Sequence, residues 1–541
     1  MASLTPLSGT LGTAKAAHLL RRATFGTKQA EIENFANMTV TQATNLLLTA
    51  PPAPTPPIDP STNQTWVFTD NTTQGTYRLY LTAWWMHNMM QSQTSAVEKM
   101  IFFLHTHFTS KFSVVRISAS VYHQLELFRH YAFGDWRKLT VKMTYDNAML
   151  RFLDGRTNRK NSPNENYARE LLELYSIGKG PQIGEGNYTN YTEDDVQAAA
   201  RVLTGWNVDE SYQTIDPETG LAAGRVRVNG AGIPNQHDIG DKQFSAAFQN
   251  TLIQGTNTEA GIRGEAEQLI HMIFNQTATA ENICRKLYRF FVNYRITDEI
   301  EQDIIAPLAQ TFITQNFQIK PVLEQLLQSE HFYDADDTTE GDHHFGALLK
   351  SPLELFTQTL NFFEIDLPDP ATQLSAHYTS FSRGARHFLP AMGMIPYEPI
   401  ETAGYPAYHQ EPNFNRNWVS ANTIAYRYKF IQNLQEGTQL VGGSLGYELD
   451  PLPYVENATY FQDISDPVLL VQDLAKYLFA IDLPVERMDY FTKDILVDGL
   501  DLGYWSQLWL DYQLTSDASE VRSRLKGLIN AMLQTPEYQL G

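Results

Sequence analysis

The sequence predicts a mainly α fold: a multi-helical orthogonal bundle with long irregular loops and at most a small β-hairpin. Three observations carry that expectation. Apolar residues recur three and four apart over most of the chain. Residue types that start and stop helices bracket those runs. The alternating pattern of a half-buried strand occurs only in one short piece, "GRVRVNG".

Taken in order, "TAKAAHLLRRATFG" (13–26) reads as a helix closed by Gly26. In "SAVEKMIFFLHTHF" (95–108), Val97, Ile101, Leu104 and Phe108 share one face. Residues 121–133 and 137–155 carry the same period. "TEDDVQAAARVLTG" (192–205) begins with Thr192 as cap, has Asp195 three residues on and ends at Gly205. Further helices are expected near 262–274, 280–293, 300–314, 320–329, 347–363, 417–434, 466–481 and 520–534. Three stretches break the pattern: a proline-rich loop at 51–65, a turn-rich piece at 206–250 and a Gly/Pro/Tyr-rich loop at 366–416. They divide the chain into an N-terminal helical region with a polar cluster (1–205), an irregular insertion (206–255), a middle helical region (256–365), the loop (366–416) and a C-terminal helical region (417–541). The pattern Leu-Gln-Ser/Thr-x-x-aromatic closes helical runs at 327–333 and 533–539, a weak internal echo.

Composition narrows the function. With 541 residues, 43% hydrophobic and 12% aromatic, the chain has ample material for a large core. Its net charge of −21 repels a phosphate backbone, so a nucleic-acid partner is not expected. The single cysteine, Cys284, sits in an apolar helix and reads as a core residue, which leaves no thiolate-rich zinc site. No charged and then apolar leader opens the chain, and no run of about 18 apolar residues occurs, so it is expected in the cytoplasm as written, without a transmembrane segment. Walker A, H-E-x-x-H and dinucleotide-binding glycine patterns are missing from the sequence.

Six polar stretches are weighed as candidate sites against plainer structural readings. "SPNENYARELLELYSIG" (162–178) concentrates Asn164, Glu165, Asn166, Arg169 and Glu170. Ser162, Pro163 and Glu165 look like a capping box with proline at the first helical position, and Glu165 with Arg169 is an i,i+4 pair. The plain reading is a solvated helix face. His105 and His107 in "LHTHF" would suit a metal ion only if the helix ended at His105; within a helix they lie ~200° apart. His237 and Asp238 in "PNQHDIGDKQF" sit in a loop and would supply a metal ligand or a base. His343 and His344 read as exposed linker. Arg21, Arg22, Arg151, Arg156, Arg159 and Lys160 are basic clusters in an acidic chain, suited to gripping a carboxylate, sulfate or phosphate.

Together the segments "AAHLLRRATFG", "HTHFTSKF", "NRKNSPNENYARELLELYSIG", "YTEDDVQAAARVLTGW", "QHDIGDKQF", "RKLYRFFV", "SPLEL" and "NWVSANTIAYRY" resemble the bacterial family called domain of unknown function 1800. The resemblance covers the chain from about residue 14 to its end. It implies no particular chemistry. It does imply export for many members, and a partner that looks like a phosphatase or sulfatase. Because its segments are the polar ones, it favours a shared pocket. One expectation is therefore an enzyme, in which His105, His107, Glu170, His237 and Asp238 converge on a divalent metal ion for hydrolysis. Arg169 or Arg22 would hold the anionic group, Glu165 would assist and Arg21, Asn164 and Asn166 would bind. The alternative is a non-enzymatic assembly protein, with 366–416 as its contact surface.

Overall fold

The computed structural model describes residues 2–69, 74–92, 94–336, 343–437, 448–457 and 459–541. Its architecture is helical throughout, and its strands form only two-stranded antiparallel pairs. The expected helices are present at Gly12–Ala23, Val97–His107, Ser118–Tyr131, Glu193–Val202, Glu259–Phe274, Thr277–Phe291, Ile319–Gln328, Pro352–Phe362, Ala421–Glu436, Pro467–Leu478 and Ser519–Leu533. The Thr192 cap holds as expected: its hydroxyl accepts from the Asp195 amide, and the Asp195 carboxylate accepts from the Thr192 amide. Helices at Gln29–Ala36, Val40–Leu47, Gln74–Gln91, Leu374–Arg383 and Gly503–Thr515 were not expected from the pattern.

Three local expectations are corrected, and a fourth holds. The run at 137–155 is two helices, Trp136–Met143 and Asn147–Phe152. Asp146 caps the second by accepting from the Met149 amide at 2.7 Å, which forces the break. The helix in the 162–178 stretch begins at Asn166, not at Pro163. Arg159 and Ser162 bridge in a tight bend, and Asn164 accepts from the Asn166 amide instead of Ser162 capping Glu165. The small β element expected at 206–250 is present: Arg225–Val226 pairs antiparallel with Trp206–Asn207, and Val228 bridges Pro234. Within 366–416, one helix spans Leu374–Arg383 and continues as a π turn, and Tyr378, Tyr397 and Tyr405 are buried. Aromatic side chains spent on the core are not free for a partner, so this segment is not the tyrosine-presenting surface the sequence suggested.

Most of the buried apolar side chains form one continuous cluster running from Leu7 to Tyr538, and Ala119, Tyr212 and Ala222 form a small second one. Phe102, Leu104, Phe152, Leu171, Leu203, Leu287, Phe290 and Leu353 are buried in the larger cluster and Leu174 packs against it. Cys284 is fully buried as well. The N-terminal helix Gly12–Ala23 packs on Gln29–Ala36 and on Pro467–Leu478, and Gln74–Gln91 packs on Leu374–Arg383 and Pro352–Phe362. Segments far apart in sequence therefore meet at the C-terminal end of the first helix, where the basic residues lie. No described helix is long and apolar enough to cross a membrane.

Candidate functional site

The three expected metal histidines do not meet. The helix Val97–His107 runs through both of its histidines, so their rings diverge. His105 lies edge-on to the Trp85 and Tyr397 rings, each 5.7 Å away, and neither ring nitrogen has a partner among the described residues. Burial lowers its pKa to about 4, so it is a neutral core residue. His107 donates from Nε2 to the Tyr175 carbonyl at 3.0 Å, with Lys286 3.5 Å from its other nitrogen. His237 belongs to a third place: Nδ1 lies 2.9 Å from the Thr204 carbonyl, and Nε2 lies 3.0 Å from a Glu265 oxygen whose twin accepts from Lys242 at 2.5 Å. His237, Lys242 and Glu265 are buried together. Burial would raise the Glu265 pKa, but His237 and Lys242 hold it below the usual range. Among the described residues no group of three or more His, Cys, Asp or Glu side chains is arranged to hold a metal ion.

The other expected residues make pairs. Asp238 binds Arg201 at 2.7 Å and is held below its ordinary pKa by that contact, against its partial burial. Arg169 bridges Glu165 at 3.0 Å and Glu193 at 2.5 Å, which ties its short helix to Glu193–Val202. Glu170 is half-buried, and burial followed by the nearby Glu173 raises its pKa. Asn164 and Asn166 serve the local turn. The 162–178 stretch is thus mostly a brace, and the metal-centred convergence expected of it is absent among the described residues.

A different convergence is present. Arg21 and Arg22 end the first helix, Lys99 opens Val97–His107, Arg289 ends Thr277–Phe291, and Lys350 precedes the Ser351 cap of Pro352–Phe362. With Glu354, these five cations line one small cavity of about 30 Å³. Arg427 lies behind it, bonded to the Lys350 carbonyl at 2.8 Å. Glu354 is already engaged: it pairs with Lys99 and accepts from the Ser351 amide at 2.6 Å. Arg289 lies over the Phe414 ring with Glu411 3.8 Å away, and the other three cations hold neutral carbonyls. Arg21 donates to Tyr477, Arg22 to His344 and Lys350 to Tyr538, at 2.7, 2.6 and 2.8 Å.

The plain reading is a set of clamps on the chain, and the carbonyl contacts support it. Yet carbonyls satisfy donors and not charge. The two helix C-termini contribute only about half a negative charge each, against Arg21, Arg22 and Lys350 and an Arg289 whose nearest acid, Glu411, is 3.8 Å away and exposed. Several donors also remain unused among the described residues: Nε and Nη1 of Arg22, Nε of Arg289, Nε of Arg427 and Nδ2 of Asn415, whose Oδ1 is an unused acceptor, all buried atoms. Burial lowers the Arg22 pKa to about 9 and that of Arg21 to about 10, and pulls Lys350 well below its usual value. The protein spends free energy to keep this charge here.

Asn415 and Leu349 also line an outer cleft of about 510 Å³, within the usual range for small-molecule sites. Its wall carries a hydrogen-bonded chain. The Tyr288 hydroxyl is 2.9 Å from His331 Nε2, and His331 Nδ1 donates to Asp336 at 2.8 Å. His344 packs edge-on against His331, 4.3 Å between ring centres, and its amide donates to Asp334. Burial first, then His331 and Arg22, lowers the His344 pKa to about 3. His344 is therefore buried in the cleft wall and is not exposed linker; His343 is exposed.

A family model described as protein of unknown function (DUF1800) matches residues 18–540, nearly the whole chain. The chain belongs to this family. No curated protein and no solved structure matches it. The DUF1800 match spans the basic cavity and the cleft alike. Of the lining residues, the basic-cluster reading found only Arg21 and Arg22. Lys99, Arg289, Lys350, Asn415 and the Tyr288–His331–Asp336 chain were missed. Their signal was present, since "RKLYRFFV" holds Tyr288 and Arg289 and "SPLEL" holds Glu354, but each looks like an ordinary helix residue in isolation. The letters "GGSLG" at 442–446 have the spacing of a nucleophile elbow and lie outside the described residues.

Proposed function

We propose that this DUF1800 protein binds a small organic anion, with its charged end in the basic cavity and its remainder in the outer cleft. One observation carries the reading: four buried cations, the partly exposed Arg289 and unused N–H donors surround a cavity whose one acidic side chain among the described residues, Glu354, is already paired with Lys99. A buried cluster of that sign, in a chain of net charge −21, is stable at lower cost when an anion occupies it. The Tyr288–His331–Asp336 chain gives the cleft wall polar groups of fixed orientation for the uncharged part. Metal-assisted hydrolysis, the chemistry the sequence suggested, is not adopted, because the residues that would carry it are scattered over separate places.

The experiment is a thermal-shift series with organic carboxylates, phosphate esters and sulfate esters, each matched in ionic strength by chloride. A ligand that binds only the folded chain stabilises it by about 2.7 kcal/mol at one hundred times its Kd. The expected outcome is a saturable rise in Tm with at least one of the three classes. If no anion raises Tm beyond the chloride control, the proposal is wrong.

A further inference from the structure

We infer that the charged end of the ligand is a phosphate group, a tetrahedral dianion seated on Arg22, Arg289 and Asn415. This deepens the proposed function and rests on it. The first argument is size. A water needs about 10–15 Å³ of such space, so the inner cavity of about 30 Å³ holds a head group of a few atoms and no more. The organic remainder must cross Asn415 and Leu349, the residues common to both cavities, into the cleft of about 510 Å³.

The second argument is charge. Lys99 and Glu354 cancel each other and Arg289 has Glu411 at 3.8 Å, which leaves Arg21, Arg22 and Lys350 facing the cavity without an ion pair of their own among the described residues. A carboxylate or a sulfate ester brings one negative charge and leaves most of this uncompensated. A phosphate monoester brings close to two at neutral pH. Charges held a few ångströms apart with little water between them interact far more strongly than in bulk solvent, so the second charge decides the preference.

The third argument is direction. The cations come from the ends of two helices, the start of a third and the segment before a fourth. Donors that arrive from several sides suit four oxygens at tetrahedral corners. A planar carboxylate is better matched by a single guanidinium fork. Asn415 has both amide atoms buried without a partner among the described residues, at the junction where the ester oxygen would pass. Its amide nitrogen would donate to the head group.

Isothermal titration of the full chain with methyl phosphate, methyl sulfate and acetate tests this. Methyl sulfate keeps the tetrahedral shape and removes one charge, and acetate removes both features. Methyl phosphate is expected to bind with one site per chain, at least 10-fold tighter than methyl sulfate, with acetate weaker again. Arg22→Met is expected to raise its Kd at least 30-fold, and Asn415→Leu about 10-fold. Asn415→Leu breaks no described side-chain hydrogen bond, so it serves if Arg22→Met fails to fold. If methyl sulfate or acetate binds as tightly as methyl phosphate, the phosphate inference falls and anion binding stands. If methyl phosphate binds and Asn415→Leu leaves its Kd unchanged, the site is elsewhere. If none of the three binds and no anion raises Tm, both readings fall together.

Discussion

Single residues in this protein are governed by burial more than by their place in a motif. His105 shows it: a histidine from a His-x-His pair ends as a neutral ring between two aromatics, with both nitrogens unpartnered among the described residues. Asp146 gives the same physics a measurable form. It is buried at the start of Asn147–Phe152, and burial outweighs the bonds from Met149 and Gln124, raising its pKa to about 7. A carboxyl whose folded pKa lies above its unfolded value favours the folded state while protonated. Its contribution is full below about pH 4 and is lost as pH rises through about 7. Asp146→Asn keeps the acceptor oxygen for both partners and cannot ionise. The variant is therefore expected to gain stability relative to the parent between pH 5 and pH 8, read as the difference in urea midpoints at the two values. A constant difference would mean that Asp146 is ionised across the whole range.

At the scale of elements, ion pairs hold the pieces together, and their worth follows exposure. Lys242, at the start of strand Lys242–Gln243, reaches Glu265 on Glu259–Phe274 with neither side chain exposed, and His237 closes the group. Glu265→Ala would leave a buried lysine unpaired and is expected to cost about 3–5 kcal/mol. Arg169→Ala breaks a bridge between two half-exposed helices and is expected to cost at most about 1 kcal/mol. Denaturant midpoints of the two variants separate these outcomes; equal losses would refute the ranking. Elements were also what the sequence disclosed best. Helices with a clear apolar period and a cap, such as Glu193–Val202, were legible to within a residue or two. Gln74–Gln91 was not, because its aromatic residues lie on several faces and it is buried nearly all round. Leu374–Arg383 was hidden in a stretch of glycine, proline and tyrosine whose local preference is overridden by packing on Gln74–Gln91. The site was less legible than the fold. Arg21 and Arg22 stood out as a pair, whereas Lys99, Arg289 and Lys350 become a cluster only through contacts between helices hundreds of residues apart.

Over the whole molecule, the basic cavity is a joint. The echo at 327–333 and 533–539 is real in three dimensions. Ser329 and Thr535 each return a bond to the helix before them and accept the amide three residues on, and each leads into a single 3-10 turn. One of these turns carries His331 of the cleft, and the other places Tyr538 against Lys350. The N-terminal helix reaches both regions through Arg22, which holds the His344 carbonyl, and Arg21, beside Tyr477. Charge kept at such a joint for a ligand should cost stability when the ligand is absent. Arg22→Met removes one buried cation and two unused donors while it keeps most of the side-chain volume. It loses one carbonyl contact, a term of about 1 kcal/mol, and the attraction of Glu354 and Asp334, against the desolvation of a guanidinium, the largest influence on Arg22, and the repulsion from Arg21. The variant is expected to have a Tm equal to or above that of the parent in anion-free buffer, and to lose the rise that methyl phosphate gives the parent. A variant that is less stable without ligand, yet still responds to methyl phosphate, would make Arg22 a clamp on the 344 segment and nothing more. The crossing of the two curves, with the variant ahead when empty and the parent ahead when filled, is what separates a binding site from a brace.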